Sequence, residues 1–323
     1  MFKTEIKDLN MYKVNERNGI YGGSAGDKEG VTISGEYWII KYPKSTKGLK
    51  GNLESYTTSP LSEYIGSHIY QLLDIDVHDT ILGVRNNKLV VACKDFCKKE
   101  GSLREFRTLK NIYNKELSQK LEQMIDSTSS SNYIDIEDVL VHLQYNPILS
   151  TIPGIQNRFW EQLLVDLFIN NNDRNNGNWG VLYENGKYSL APVFDNGAAF
   201  ANKTPEDKLL LMSVDTNLMK QSVNSNVSIY RINGHRIHGK DLVSIDNRNF
   251  YNTVLELVPK IENRISDFVK FIESIPEEFE GIPVCSKARA KVYAESLKLK
   301  LDQFFRPAYA KARSLNYTLH DLF

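Results

Sequence analysis

The sequence has few of the features that mark disulfide-bonded, zinc-binding or membrane-spanning proteins. Its 323 residues include three cysteines, Cys93, Cys97 and Cys285, which form neither an even set nor pairs at Cys-x-x-Cys spacing. This cysteine usage argues against a disulfide framework and a zinc site, and it favours a reducing compartment. No stretch approaches the roughly 18 uncharged apolar residues that a membrane-spanning helix needs.

The chain also has no excess of either charge. Its 40 Lys and Arg residues balance 40 Asp and Glu residues. Neither nucleic acid nor an anionic membrane is therefore expected as a direct partner. The N-terminal residues carry several charges and no apolar run, which argues against an ordinary signal peptide. We expect a soluble cytoplasmic protein, with leaderless secretion as an effector as the open alternative.

Strand-type and helix-type patterns divide the chain near residue 97. The composition, with 41% hydrophobic and 25% charged residues, is that of a globular protein long enough for two domains. Up to Phe96 the pattern is typical of β-strands, and after it the helical period dominates. The sequence predicts a two-lobed α+β protein, with a small β-rich N-lobe over residues 1–97 and a larger, mostly helical C-lobe over residues 98–323.

The predicted N-lobe contains two β-hairpins with one helix between them. The hairpin strands are predicted at Val31–Ile33 with Tyr37–Lys41, and at Thr80–Val84 with Leu89–Ala92. Ser59 suits the N-cap of the helix, and Pro60 suits its first turn. Glu63 falls outside the apolar stripe of this helix.

The predicted C-lobe contains a buried helix followed by an isolated hairpin. Apolar residues at helical spacing predict a helix over Arg158–Ile169, which ends at three asparagines. Asn185-Gly186 is a strong turn signal between predicted strands at Val181–Tyr183 and Tyr188–Val193. This hairpin is expected to bring the polar residues on its two sides close together.

The segment Asn172–Gly180 carries the most informative polar pattern. Asp173 is followed five residues later by Asn178, and Asp195 follows the hairpin. Phosphoryl transfer from ATP needs one carboxylate to orient or deprotonate the attacking hydroxyl, and an amide oxygen and a second carboxylate to hold Mg²⁺. The alternative is a polar loop that only caps the preceding helix, with Asp195 in an unrelated turn.

A kinase also needs a strand lysine for the ATP phosphates and a helix glutamate that holds this lysine. Lys41 ends an otherwise apolar strand, and Glu63 lies on the next helix, where it is able to pair with Lys41. Each residue by itself is equally compatible with an ordinary surface position. Their order relative to Asp173 and Asn178 favours the kinase interpretation.

Two further segments suit the binding of a nucleotide. A glycine-rich turn precedes the first predicted hairpin, and its backbone amides are able to approach phosphates. The residues of this turn are Gly22, Gly23, Ser24, Ala25 and Gly26. The segment from Val91 to Phe96 leads out of the predicted N-lobe and is the candidate hinge beside adenine.

Taken in this order, these motifs resemble the HipA-like serine/threonine kinases, and more closely the compact CtkA-type bacterial kinases. The resemblance covers the chain from Gly22 to about residue 200. It implies that Asp173 is the catalytic base or hydroxyl-orienting residue and that Asn178 and Asp195 bind Mg²⁺. It further implies that Lys41 contacts the ATP phosphates and that Lys94 and Phe96 bind adenine through their main chains. Such kinases also autophosphorylate near the glycine-rich loop, where Ser24 is the candidate.

The sequence departs from the family pattern at two places. Only 40 residues precede Lys41, so most of the subdomain that binds an antitoxin in longer HipA proteins is missing and an antitoxin partner is not expected. Asn175 stands two residues after Asp173, where histidine is frequent in related loops. The leading hypothesis is an ATP- and Mg²⁺-dependent kinase acting on Ser or Thr of a protein substrate. A small-molecule or inositol-lipid kinase and a nucleotide-binding pseudokinase scaffold are the alternatives.

Overall fold

The structure, a computed structural model, describes residues 4–20, 27–51, 53–97, 102–122 and 134–320. The strands are β1 (Lys7–Asp8), β2 (Lys28–Ile33), β3 (Glu36–Lys41), β4 (Thr80–Arg85), β5 (Lys88–Lys94), β6 (Leu103–Glu105), β7 (Ile134–Asp135), β8 (Gly180–Glu184), β9 (Lys187–Leu190), β10 (Val227–Ile232), β11 (His235–His238), β12 (Glu278–Phe279) and β13 (Ile282–Pro283). The α-helices are α1 (Ser59–Leu72), α2 (Phe106–Leu109), α3 (Lys115–Glu122), α4 (Ile136–Tyr145), α5 (Ile155–Ile169), α6 (Glu206–Val214), α7 (Thr216–Ser225), α8 (Arg248–Glu273), α9 (Lys287–Lys300) and α10 (Arg306–His320). None of the helices in these ranges combines the length and the apolar character needed to cross a bilayer.

The chain packs into two compact units, each assembled from separate chain segments. The first unit comprises residues 1–96, 192–223 and 261–300, and the second comprises residues 97–191, 224–260 and 301–323. The first change from one unit to the other follows Phe96. Two later segments, 192–223 and 261–300, pack with the first unit, although the sequence places them in the predicted C-lobe. Asp195 therefore belongs to the same unit as Lys41.

The first unit is built on a five-stranded sheet in the order β1-β4-β5-β3-β2. Strand β3 lies between β5 and β2 and runs antiparallel to both. Because side chains alternate along a strand, Trp38 and Ile40 point into the apolar core, whereas Ile39 and Lys41 lie on the opposite face. Lys41 thus lies on an inner strand of the sheet and not on an edge strand.

Helix α1 brings a glutamate into the interior of the first unit. Pro60 lies in the first turn as predicted, but the N-cap position is Thr58 and not Ser59, because Ser59 is already helical. The helix packs against β4 and β5. Glu63 lies outside the apolar stripe, yet it is buried, so its carboxylate requires partners inside the unit.

The second unit contains the buried helix and the hairpin predicted from the sequence. Helix α5 ends at Ile169, and the left-handed φ of 58° at its C-cap residue, Asn170, turns the chain out of the helix. Strands β6, β8 and β9 form an antiparallel sheet. Strand β9 ends at Leu190, so the predicted strand over Tyr188–Val193 is too long. The residues after it leave the hairpin because Val193 pairs in parallel with Val77, and both of these residues belong to the first unit.

The close approach of β1 to β4 gives a stability test. A Cβ atom on Gly83 would lie 2.5 Å from the backbone oxygen of Lys7, so the strands must separate to admit it. We expect Gly83→Ala to lower the free energy of unfolding by about 1–3 kcal/mol. Gly19→Ala is the control, because nothing lies within 4 Å of its added Cβ. Urea unfolding of both variants measures the difference, and equal stability of the two would contradict the expected clash.

Candidate active site

A mostly buried lysine shared by two carboxylates is the centre of the first unit's polar chemistry. Lys41 Nζ lies 3.0 Å from Glu63 Oε2 and 2.9 Å from Asp195 Oδ1. The side chains of Lys41 and Glu63 are 17% and 1% exposed, whereas that of Asp195 is 38% exposed. The structure therefore brings together three of the residues singled out in the sequence, and it leaves part of the Asp195 carboxylate accessible.

The three charges support one another. Burial lowers the pKa of Lys41, but the negative charges of Asp195 and Glu63 outweigh burial and raise this pKa well above its ordinary value. Burial raises the pKa of Glu63, but the charge of Lys41 and a hydrogen bond from His78 together lower it well below its ordinary value. The charge of Lys41 also lowers the pKa of Asp195. All three groups are charged at neutral pH.

Backbone pairing places Asp195 beside Lys41. The N–H of His78 donates to the carbonyl of Val193 over 3.0 Å, and the N–H of Val193 donates to the carbonyl of Asp76 over 2.8 Å. Two residues later, Asp195 adopts a left-handed φ of 63°. This turn lets the N–H of Asn196 donate to Glu63 Oε1 over 2.9 Å. The chain following β9 is thus fixed to residues 76–78 before Asp195 and to α1 after it.

Glu63 also lies in a cluster that resembles a transition-metal site. Glu63, His78 and Cys93 offer ligand atoms within 4.8 Å of one another, and carboxylate, imidazole and thiolate are ligands that zinc accepts. However, the ammonium of Lys41 already occupies this carboxylate at 3.0 Å and would repel a second cation. Burial also raises the pKa of the Cys93 thiol, which opposes thiolate formation. We therefore assign no metal to this cluster.

In the second unit, a buried ion pair anchors the loop that follows α5. Arg174 Nε and Nη2 donate to the two carboxylate oxygens of Asp166 over 2.8 and 2.9 Å. Arg174 Nη1 donates to the backbone oxygen of Asn178 over 3.0 Å, and Asn171 Nδ2 donates to Asp166 Oδ1 over 3.1 Å. This bidentate geometry holds both ends of the loop against α5.

Within this loop, amide side chains orient Asp173. Asn175 Nδ2 donates to Asp173 Oδ1 over 3.0 Å, and Asn178 Nδ2 donates to the backbone oxygen of Asp173. Asn175 occupies the position where the family resemblance leads one to expect histidine, and its amide supplies a donor to the same carboxylate. Because Asn178 uses its nitrogen inside the loop, its amide oxygen is the atom suited to a cation.

Packing beneath the loop fixes its far end. The indole of Trp179 stacks on Phe106 with the ring centroids 4.4 Å apart, and the N–H of Phe106 donates to the carbonyl of Trp179 over 3.0 Å. Gly180 follows, and a Cβ atom there would lie 2.2 Å from the backbone oxygen of Arg104. Only glycine therefore allows β8 to pair with β6 directly after the loop.

The remaining residues that the sequence predicts to bind the nucleotide are Lys94, Phe96 and the glycine-rich turn. Lys94 ends β5, its N–H donates to the carbonyl of Asp79, and its ammonium pairs with Glu36 over 2.7 Å. The ring of Phe96 packs against Phe194 with the centroids 5.7 Å apart. The glycine-rich turn lies outside the described residues; it comprises Gly22, Gly23, Ser24, Ala25 and Gly26.

Sequence reasoning missed several residues that hold the site together. Asp166 and Arg174 anchor the polar loop, and His78 and Asn196 bind the Glu63 carboxylate. For Asp166 a signal was available: an acidic residue interrupts the apolar run of a helix eight residues before an arginine. The sequence carries no comparable signal for His78, because its partner is chosen by tertiary packing.

The donor types at these positions fit the cofactors that a kinase requires. Asp195 retains a partly exposed carboxylate, and Asn178 retains an amide oxygen, which are ligands that Mg²⁺ accepts. Lys41 supplies a mostly buried positive charge of the kind that binds phosphate oxygens. Asn178 belongs to the second unit and Asp195 to the first.

Comparison with known proteins finds a relative in sequence and similar solved structures. The chain is 29% identical over 287 residues to the serine/threonine-protein kinase CtkA of Helicobacter pylori, covering 84% of this chain and 82% of that protein. Its fold matches the crystal structure of a Helicobacter pylori proinflammatory kinase CtkA with a TM-score of 0.79 and 24% identity, over 96% of this chain and 100% of that one. No family model matches the sequence.

A more distant structural match has the same fold. HipA in a Shewanella oneidensis MR-1 toxin–antitoxin complex with HipB and operator DNA matches with a TM-score of 0.53 and 9% identity, over 95% of this chain and 75% of that one. The predicted two-lobed, kinase-like α+β fold is confirmed, as is the resemblance to HipA-like kinases of the CtkA type.

Breaking the buried Asp166–Arg174 pair tests the anchoring of the loop. Arg174→Met leaves the Asp166 carboxylate buried without its bidentate partner, so we expect a loss of about 3–5 kcal/mol in the free energy of unfolding. Arg264→Met removes a partly exposed pair with Asp267 and serves as the control, with little change expected. Chemical denaturation compares the two variants. A loss no larger for Arg174→Met than for Arg264→Met would contradict the anchoring role.

The charges around Lys41 predict the pH dependence of stability. Folding lowers the pKa values of Glu63 and Asp195 from their ordinary values of 4.5 and 3.8. Their contribution to the free energy of unfolding is therefore complete above the ordinary pKa values, and it is lost as the pH falls through the lowered pKa values of the folded protein. We expect the wild type to lose stability steeply below about pH 4.5. The Lys41→Met variant should lose less stability over the same pH range, because burial of Glu63 without the cation raises the pKa of this carboxyl group. Urea unfolding from neutral to acidic pH measures how the free energy of unfolding of each protein depends on pH. The same pH dependence in both proteins would contradict the pairing of Lys41 with the two carboxylates.

Proposed function

Since the chain shares the fold of the HipA-like kinases and is related in sequence to a CtkA-type kinase, we propose that it is an ATP- and Mg²⁺-dependent protein kinase that phosphorylates Ser or Thr hydroxyls. The observation that supports this function best is the mostly buried Lys41 side chain, whose ammonium is held by Glu63 and Asp195. A lysine in this setting remains charged and keeps a fixed position, which the binding of ATP phosphates requires.

The residues of the second unit supply the acceptor side of the proposed reaction. Asp173 orients the acceptor hydroxyl and takes its proton during transfer, while Asn175 keeps the Asp173 carboxylate in place. The Asp166–Arg174 pair lowers the freedom of the loop before the substrate binds, so less entropy is lost on the way to the transition state.

Asn178 and Asp195 are the proposed ligands of Mg²⁺, and Lys94 and Phe96 the proposed main-chain contacts of adenine. When bound, Mg²⁺ neutralises charge on the phosphates of ATP. Asp195 keeps its charge because Lys41 lowers its pKa, so it is ready to bind a cation at neutral pH. The glycine-rich turn from Gly22 to Gly26 is proposed to cover the phosphates.

Substitution of the two aspartates separates catalysis from metal binding. We expect Asp173→Asn to lower phosphoryl transfer by at least about 100-fold, because it removes the general base, with nucleotide binding retained. Asp195→Asn should weaken Mg²⁺-dependent nucleotide binding itself. Labelled ATP with casein as the acceptor, phosphosite mapping by mass spectrometry and calorimetric nucleotide titration measure these outcomes.

The substitutions of Asp173 and Asp195 need a control at an acidic residue outside the proposed site. Asp207→Asn changes an acidic residue at the start of α6 and should leave transfer unchanged. Phosphoryl transfer by the Asp173→Asn variant at the wild-type rate would refute the role of Asp173. Tight ATP binding without transfer to casein or to the protein itself would favour the pseudokinase alternative.

A further inference from the structure

His78 is buried against the glutamate that holds Lys41. Its side chain is 3% exposed, and Nε2 lies 2.9 Å from Glu63 Oε1. Glu63 is ionised, so its oxygen accepts and His78 Nε2–H donates. A buried hydrogen bond between an imidazole and a carboxylate fixes the orientation of both groups.

The two oxygens of Glu63 have different tasks. Oε1 accepts from His78 Nε2 and from the N–H of Asn196, both over 2.9 Å, whereas Oε2 accepts from Lys41. A glutamate side chain on its own rotates about three bonds. Two donors on Oε1 remove this freedom and leave Oε2 facing the ammonium.

His78 itself is positioned by the segment that carries Asp195. The backbone N–H of His78 donates to the carbonyl of Val193, two residues before Asp195. Asn196 Nδ2 further donates to Ser67 Oγ on α1 over 3.0 Å. A displacement of this segment therefore moves His78 and, through it, the carboxylate of Glu63.

We propose that His78 is a positioning residue: its Nε2–H clamps Glu63 Oε1 so that Oε2 holds Lys41 in place for the phosphates of ATP. The effect on phosphoryl transfer rests on the proposed kinase function, whereas the effect on Lys41 does not. In this role His78 acts through Glu63 and not by its own contact with nucleotide or acceptor.

Three variants test the clamp. His78→Leu removes the donor, and His78→Gln keeps an N–H donor near the position of Nε2. His68→Leu is the matched control, because His68 lies on α1 five residues after Glu63 and stacks on Phe271 with the ring centroids 4.8 Å apart. We expect His78→Leu to lower kcat about 10- to 100-fold with a smaller change in KM for ATP, since a slightly misplaced group costs this much. His78→Gln should restore most of kcat, and His68→Leu should retain it.

A second measurement does not depend on kinase activity. Acetic anhydride acylates free amines, so competitive labelling followed by mass spectrometry reports how well Lys41 is held. We expect Lys41 to react several-fold faster in His78→Leu than in the wild type, because a loosened Glu63 no longer restrains the ammonium. His78→Gln and His68→Leu should react at the wild-type rate.

A double-mutant cycle distinguishes clamping from general destabilisation. In a Glu63→Gln background, His78→Leu should cause little further loss of kcat or change in Lys41 labelling, because the residue it acts on is already altered. If His78→Leu does not fold, His78→Asn, whose amide is too short to reach Glu63, replaces it.

The outcomes separate this proposal from the proposed function. Unchanged Lys41 labelling in His78→Leu, or effects that add fully to those of Glu63→Gln, would overturn the positioning role. Failure of the wild type to transfer phosphate would overturn the kinase function alone, because the labelling result still decides the role of His78.

Discussion

The polar chemistry of the first unit depends on keeping the Lys41 ammonium charged inside the protein. An isolated charge at this depth would be strongly disfavoured, and burial by itself lowers the pKa of a lysine. Two carboxylates, 3.0 and 2.9 Å away, reverse this effect. Glu63 is almost fully buried and Asp195 is partly exposed, so one partner is suited to hold the lysine permanently and the other remains accessible to a cation.

The backbone geometry of three chain segments brings the side chains of Lys41, Glu63 and Asp195 together. Alternation along β3 directs Lys41 away from the apolar core, and the packing of α1 on the neighbouring strands brings Glu63 to the same face. The parallel bridge between Val77 and Val193, followed by the left-handed turn at Asp195, supplies the third group. His78 and Asn196 then donate hydrogen bonds to the remaining oxygen of Glu63. Both oxygens of this buried carboxylate therefore accept hydrogen bonds, which avoids the free-energy cost of a buried acceptor without a donor.

In the second unit, a buried arginine orders the loop that follows α5. A loop rich in Asn and Gly has little intrinsic order, yet the roles proposed for Asp173 and Asn178 require fixed side chains. The bidentate pair of Arg174 with Asp166, both buried, attaches this loop to α5. Stacking of Trp179 on Phe106 and the close backbone approach at Gly180 hold its far end. Order in the loop thus comes from neighbouring elements and not from its own sequence.

The sequence alone was sufficient for the features that depend on near neighbours: the α+β class, the hairpins around Ser34-Gly35, Asn86-Asn87 and Asn185-Gly186, and the buried helix before the asparagine loop. Periodicity and turn preference act over a few residues, which is why these predictions held, apart from the N-cap of α1 and the end of β9. Only the tertiary structure decided which distant side chains meet. Lys41 and Asp195 are 154 positions apart, and Asn196 reaches Glu63 across 133 positions. The role of His78 is decided in the same way, since a histidine in a short loop has no local signal for a partner that packing brings against it.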